Sequence, residues 1–215
     1  MEASSQGACG PSSRRGMAEL PTNDVLSALE PVVDALDALG VRYRIGGSVA
    51  SSAFGVPRST LDVDVACELR LHHVSSFAAR LIDTYYLDED MIGDAIRRQS
   101  CCNLIHLATM LKVDLFVRRD RPFEDAAFER TTRRPLDPAP GAREFDLTTP
   151  EDIVLHKHEW FRAGGGVSER QWRDAVGVLA IQRDEIDRTY LQRWANALEL
   201  GDLLSRALVE ADSGT

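Results

Sequence analysis

At 215 residues with 44% hydrophobic side chains, the chain suits one domain or a compact pair and can bury a real core. No apolar run reaches the roughly 18 residues that a transmembrane helix needs, so no membrane partner is expected. A formal charge of −9 argues against a dedicated duplex-binding surface, which neutralises phosphates with an excess of Lys and Arg, while leaving room for a local basic groove.

Residues 1–20 are Ser/Gly/Pro-rich, with Arg14 and Arg15 but no apolar h-region, and read as a disordered tail rather than a signal peptide; Met17 is an alternative start. Cys9, Cys67, Cys101 and Cys102 show no C-x-x-C spacing, which predicts neither a zinc site nor a disulfide framework and fits a reducing cytoplasm. Thr22-Asn23-Asp24 offers an N-cap before a helical stripe of Val25, Leu26, Leu29, Val32, Val33, Leu36 and Leu39, stopped by Gly40. Pro31 predicts a kink in it, or two shorter helices. A strand from Arg42 to Ile45 leads into Gly46-Gly47-Ser48 and a short helix of small residues to Phe54. Gly55 to Thr60 is a loop, since Pro57 excludes further helix, and Leu61 to Ala66 is a strand.

Leu71 to Ile82 reads as a crossover helix with Val74, Phe77, Ala78 and Leu81 inward. His72 and His73 are adjacent on it and face different directions, which makes them poor joint metal ligands. A second helical segment spans Asp90 to Arg98. Cys102 to Leu107 and Lys112 to Val117 form a hairpin, in which Lys112, Asp114 and Phe116 share one face. His106 reads as a hairpin residue. The Arg-rich stretch from Arg118 to Arg134, mixed with Asp and Glu, reads as a solvated helix face, with a bound polyanion as second choice.

Pro135 to Gly141 reads as a linker, so the expected organisation is a core over 21–134 and a C-terminal helical region over 135–215. In that region Phe145 to Leu147 is a short strand. Thr149-Pro150-Glu151-Asp152 has the parts of a helix start, and Gly164-Gly165-Gly166 ends the helix. Ser168 to Gln171 is a second capping signal, with Gln171 at the capping-box position. Its helix is expected to bury Trp172, Ala175, Val176 and Leu179, and Asp187 to Ala211 gives one or two more helices.

The chemistry is concentrated between Ile45 and Val65. A strand's period of two places Asp62 and Asp64 on one face, opposite Leu61, Val63 and Val65. Neighbouring like charges are unfavourable without a cation between them, and magnesium suits that position because it takes one or two carboxylates and completes its shell with waters and phosphate oxygens. The bland alternative for Asp-x-Asp is the solvated face of an edge strand. Upstream, Gly46 and Gly47 let the backbone approach a ligand where a helix's free N–H groups and dipole favour an anion; the bland alternative is a structural turn. Arg58 balances the acids or supports phosphates, and Thr60 reads as a local backbone-bonding residue.

Gly46-Gly47-Ser48 followed by Arg58-x-Thr60-x-Asp62-x-Asp64 resembles the signature of the nucleotidyltransferase superfamily that includes DNA polymerase beta and the aminoglycoside nucleotidyltransferases. The resemblance covers roughly residues 40 to 120. It implies an α+β fold, a small mixed β-sheet core flanked by helices, followed by the C-terminal helical part. A third catalytic carboxylate belongs on a later strand, and Asp114 matches it. The resemblance further implies two Mg2+ ions held by Asp62, Asp64 and Asp114, an NTP substrate whose phosphates meet Gly46, Gly47, Ser48, Arg58 and Thr60, and transfer of an NMP to an acceptor. The run from Pro150 through Lys157, then Arg173-Asp174, is similar to the abortive-infection nucleotidyltransferases, toxins of type IV toxin-antitoxin systems. That similarity adds Lys157 and Asp174 to the nucleotide site, implies a possible antitoxin partner, and suggests tRNA, a protein or a small molecule as acceptor. Lys157 otherwise snorkels from its apolar stripe, and Asp174 is otherwise a solvated helix acid. The competing functions are a non-catalytic nucleotide-binding or toxin-antitoxin partner and an aminoglycoside-type small-molecule nucleotidyltransferase.

Overall fold

The computed structural model describes residues 22–213; the expected tail, with Cys9 and Met17, lies outside them. Helix α1 (Thr22–Ala38) runs through Pro31 as one helix. The missing Pro31 N–H forfeits a hydrogen bond, but Leu29, Val32, Val33 and Leu36 are all fully buried, and burial on this scale outweighs the loss. Next come β1 (Tyr43–Ile45), α2 (Gly47–Phe54) and β2 (Asp62–Cys67), the strand–helix–strand unit that the sequence predicts.

A single 3-10 turn (Leu71–His73) leads into α3 (Val74–Leu81), which buries the four residues its spacing predicts. Strand β3 (Tyr85–Tyr86) and α4 (Glu89–Arg98) precede the hairpin of β4 (Cys101–His106) and β5 (Lys112–Val117). Then follow α5 (Pro122–Phe128), β6 (Thr132–Pro135) and β7 (Glu144–Leu147). The chain ends with α6 (Pro150–Ala163), α7 (Glu169–Ile181), α8 (Arg188–Ala197) and α9 (Gly201–Ser213).

Among the described residues the strands form one mixed sheet in the order β3-β4-β5-β2-β1-β7-β6. The pairs β2–β5 and β1–β7 are parallel and the others antiparallel. This is the α+β architecture expected. Helices α1, α3 and α4 pack together near β4 and β5, while α2, α6 and α7 form a second group that continues into α8 and α9.

Three sequence readings change. The stretch 118–134 is not a solvated helix: α5 buries Phe123, Ala127 and Phe128, the arginines are drawn into ion pairs such as Arg118–Glu68 and Arg121–Glu159, and its end is strand β6. The Pro-rich stretch after Pro135 connects β6 to β7, antiparallel neighbours in the same sheet. At the start of α7, Ser168 makes no side-chain capping bond, whereas Thr149 Oγ1 accepts from the Asp152 N–H at 3.4 Å and caps α6 as its sequence predicts.

Candidate active site

The parallel register of β2 and β5 sets Asp64 beside Asp114 and Asp62 beside Lys112. Alternation then puts all three acids on one face of the sheet and sinks Val63, Val65, Val113 and Leu115 completely on the other. The Asp64 carboxyl is pushed up to about 6, first by burial and then by the charges of Asp62 and Asp114. Asp62 Oδ1 accepts from Thr60 Oγ1 at 2.6 Å, so Thr60 orients a carboxylate from behind. Asp114, only 8% exposed, receives the Lys112 ammonium on Oδ2 at 2.8 Å, and its Oδ1 is buried with no hydrogen-bond partner.

Among the described residues no three His, Cys, Asp or Glu side chains form a ready-made metal cluster. Asp114 leans on Lys112 and Asp64 leans on α2. The chemistry of the site nevertheless fits a hard divalent ion. Its donors are carboxylate oxygens, one acid is raised first by burial and then by two neighbouring anions, and one buried oxygen is orphaned. A divalent cation would offset both the burial and the repulsion.

Gly47 has φ +54, and a Cβ there would lie 1.5 Å from Asp64 Oδ2; glycine is required at this position by backbone conformation and by space alike. The Ser48 N–H donates to the Asp64 carboxylate. The N-terminus of α2 therefore holds an anion as expected, but that anion is the protein's own side chain. A phosphate bound there would share the Ser48 N–H with Asp64.

Beside this cradle, Arg58 feels the charges of Asp62 and Asp64, but its direct partner is a third acid. Its Nε and Nη2 donate to the two oxygens of Asp174, each at 2.9 Å, across 116 residues of sequence, and Nη2 also donates to Ser48 Oγ. Lys157 does not snorkel. It is 5% exposed, and its Nζ donates to Asp174 Oδ2 at 2.8 Å. Burial pushes the Asp174 carboxyl up, and hydrogen bonds from Arg58 and Lys157 more than reverse this, leaving it below the usual carboxylate range. Burial lowers the Lys157 ammonium against the pull of Asp174. Asp174 is thus the shared counter-ion of two cations near the α2 N-terminus.

A cavity of about 620 Å³ opens over these groups, with Gly46, Gly47, Ser48, Asp62, Asp64 and Lys157 at one end. Arg58, Thr60 and Asp174 do not line it but hold Ser48, Asp62 and Lys157, which do; Asp114 does not line it either. Its walls also include Arg44, Glu124 and His156, which sequence reasoning missed. Arg44 is 2% exposed; its Nη2 donates to Glu124 Oε2 at 2.6 Å and lies 3.3 Å from His156 Nε2. His156 Nδ1 is 2.6 Å from the Asp152 carbonyl oxygen, which can only accept, so Nδ1 carries the hydrogen. Burial raises the Glu124 carboxyl, and His156, Arg44 and Arg121 bring it far below the usual range.

No protein-family model matches the sequence, and no curated protein matches it. Solved structures do match the fold. An antigenic nucleotidyltransferase-like protein from Paracoccidioides brasiliensis superposes with a TM-score of 0.55 at 18% identity, covering 89% of this chain and 94% of that one. The lincomycin-bound lincosamide antibiotic adenylyltransferase LnuA gives 0.45 at 14% identity, over 76% and 99% of the two chains. The antibiotic-resistance factor ANT(2'')-Ia gives 0.47 at 13%, over 83% and 96%. The chain has a nucleotidyltransferase-like fold.

Proposed function

We propose that the protein is a metal-dependent nucleotidyltransferase that moves an NMP from an NTP to a hydroxyl or similar acceptor. The observation that carries this reading is the pairing of Asp64 with Asp114 across parallel strands, beside Asp62 and the anion-binding start of α2. Asp62, Asp64 and Asp114 would hold Mg2+, which when bound neutralises the triphosphate and polarises the phosphorus under attack. The α2 N-terminus and Lys157 bind and orient the β- and γ-phosphates, with Arg58 fixing Ser48. The acceptor oxygen bonds to the α-phosphorus, the bond to the β-phosphate breaks, and pyrophosphate leaves. The acceptor's proton passes to the carboxylate row that Asp114 completes, the role that the resemblance assigns to Asp114.

The cavity also bears on the acceptor. It is lined by Arg44, Arg118, Arg119, Arg121, Lys157 and Arg170 against Asp62, Asp64, Glu124 and Glu159, a cationic excess in a chain of charge −9. Such walls favour an anionic or neutral acceptor, a nucleic acid such as tRNA or a protein hydroxyl, over a polycationic aminoglycoside. The similarity of residues 150–174 to the abortive-infection toxins extends the reading to a cytoplasmic protein restrained by an antitoxin. Labelled NTPs incubated with magnesium and a pool of RNA, protein and small molecules test the activity. Transfer is expected from the native chain and reduced at least a thousand-fold in Asp64→Asn; undiminished transfer by that variant overturns the assignment.

A further inference from the structure

Beyond the carboxylates the cavity continues across one row of the sheet. Cα pairing aligns Arg44 with Ala66, Ala66 with Phe116, and Phe116 with Cys101, all on the face of the acids and two strand residues past Asp64 and Asp114. Ala66 leaves the middle of this floor low, while Phe116 rises beside it. On α6, Trp160 stands one helical turn beyond Lys157, its ring centroid 6.1 Å from that of Phe116 and the planes at 66°. Trp160 is 51% exposed, a large flat surface left open in the lining of the cavity.

A second observation points to the same place. Gln171 Oε1 is buried without a hydrogen-bond partner, and Gln171 lines the cavity with Trp160. Helices α6 and α7 run side by side here, tied by Lys157–Asp174 at 2.8 Å and by the Phe161–Trp172 ring contact at 5.3 Å. Gln171 therefore belongs to the Trp160 side of Lys157. An unpaired acceptor in the same cavity as an open aromatic face suits a planar ring that carries an exocyclic amine.

We infer that the Ala66–Phe116–Trp160 end of the cavity is the slot for the nucleobase of the incoming NTP, with Gln171 Oε1 accepting from the exocyclic amine of that base. This rests on the nucleotidyltransferase reading and extends it. Two residues of strand, about 6.6 Å, and one helical turn, about 5 Å, separate the slot from Asp64 and Lys157, room for the ribose between α-phosphate and base.

The test is calorimetric titration of the full chain in magnesium buffer with ATP, CTP, UTP and inorganic tripolyphosphate. Native protein is expected to bind ATP and CTP more tightly than UTP. Trp160→Ala weakens ATP about ten-fold or more, the usual scale for a lost base stack, and leaves tripolyphosphate unchanged. Phe116→Leu repeats the effect more mildly, and Gln171→Leu removes the advantage of ATP and CTP over UTP. Unchanged ATP affinity in Trp160→Ala, or equal loss of ATP and tripolyphosphate, overturns the slot. UTP binding as tightly as ATP to the native chain overturns the role of Gln171. Native protein that binds neither ATP nor tripolyphosphate sinks the nucleotidyltransferase reading itself, a result distinct from the others.

Discussion

Two groups of charge border the same cavity and are built on opposite principles. The group around Arg44 is largely paired, since Glu124 takes Arg44 and Arg121 while Asp152 takes Thr149 and Tyr190, although Arg44 Nη1 is left without a hydrogen bond. The group around Asp64 is three acids on adjacent strands, with one carboxyl raised to about 6 and one oxygen orphaned. Folding alone explains the first, which hides its charges by pairing them. Nothing in folding favours the second, and a site kept at the expense of stability is where a ligand is expected.

The contrast can be broken most severely at Glu124. Glu124→Ala removes the 2.6 Å partner of a buried arginine and should cost about 3–5 kcal/mol, read as a fall in the denaturant midpoint at constant slope. Asp64→Asn should do the reverse. A folded-state pKa of about 6 against an ordinary 3.8 makes the ionised group a burden at neutral pH. Its protonation adds stability as pH falls from about 6 toward 3.8, and that gain is lost as pH rises through 6. The variant should therefore be up to about 3 kcal/mol more stable than the native chain at pH 7 without magnesium, and its stability should lack that acid-side gain. Chemical denaturation at pH 4 and pH 7 decides this, and equal differences at both would break the comparison.

A finer test uses Lys112, which is half-exposed and holds Asp114 Oδ2 at 2.8 Å. Its ammonium occupies a carboxylate oxygen that a magnesium ion would need. Lys112→Met should tighten Mg2+ binding a few-fold by calorimetry and, in the absence of the ion, lower stability by about 1–3 kcal/mol, because it strips the buried Asp114 carboxylate of its partner. Weaker Mg2+ binding would instead mean that Lys112 supports the site.

The acid row was legible because its signal is local. Asp-x-Asp and the Lys112–Asp114–Phe116 face need only a period of two, and the hairpin before β5 brings the second strand into place. Lys157 stood out as a charge in an apolar stripe. The paired group was hidden because its partners are 80 and 112 residues apart, and nothing in Tyr43-Arg44-Ile45 shows that the middle residue is buried. Trp160 gave no signal of its place, since it follows the stripe of Ile153 and Val154 yet is half exposed over the cavity. Strand β3 is two residues long, too short for any alternation to show. The capping signal at Ser168 was read correctly as a helix start, but the side-chain bond it promises is not made.

The fork from Arg58 to Asp174 bears on any attempt to trim the protein. A minimal fragment ending before α7 would keep every strand of the sheet and all three acids, yet strip Lys157 and Arg58 of their common anion. Two like charges would then be set loose beside Ser48. Dissection at the loop after α6 would leave Arg58 and Lys157 without Asp174, so a fragment that keeps their ion pairs must include α7.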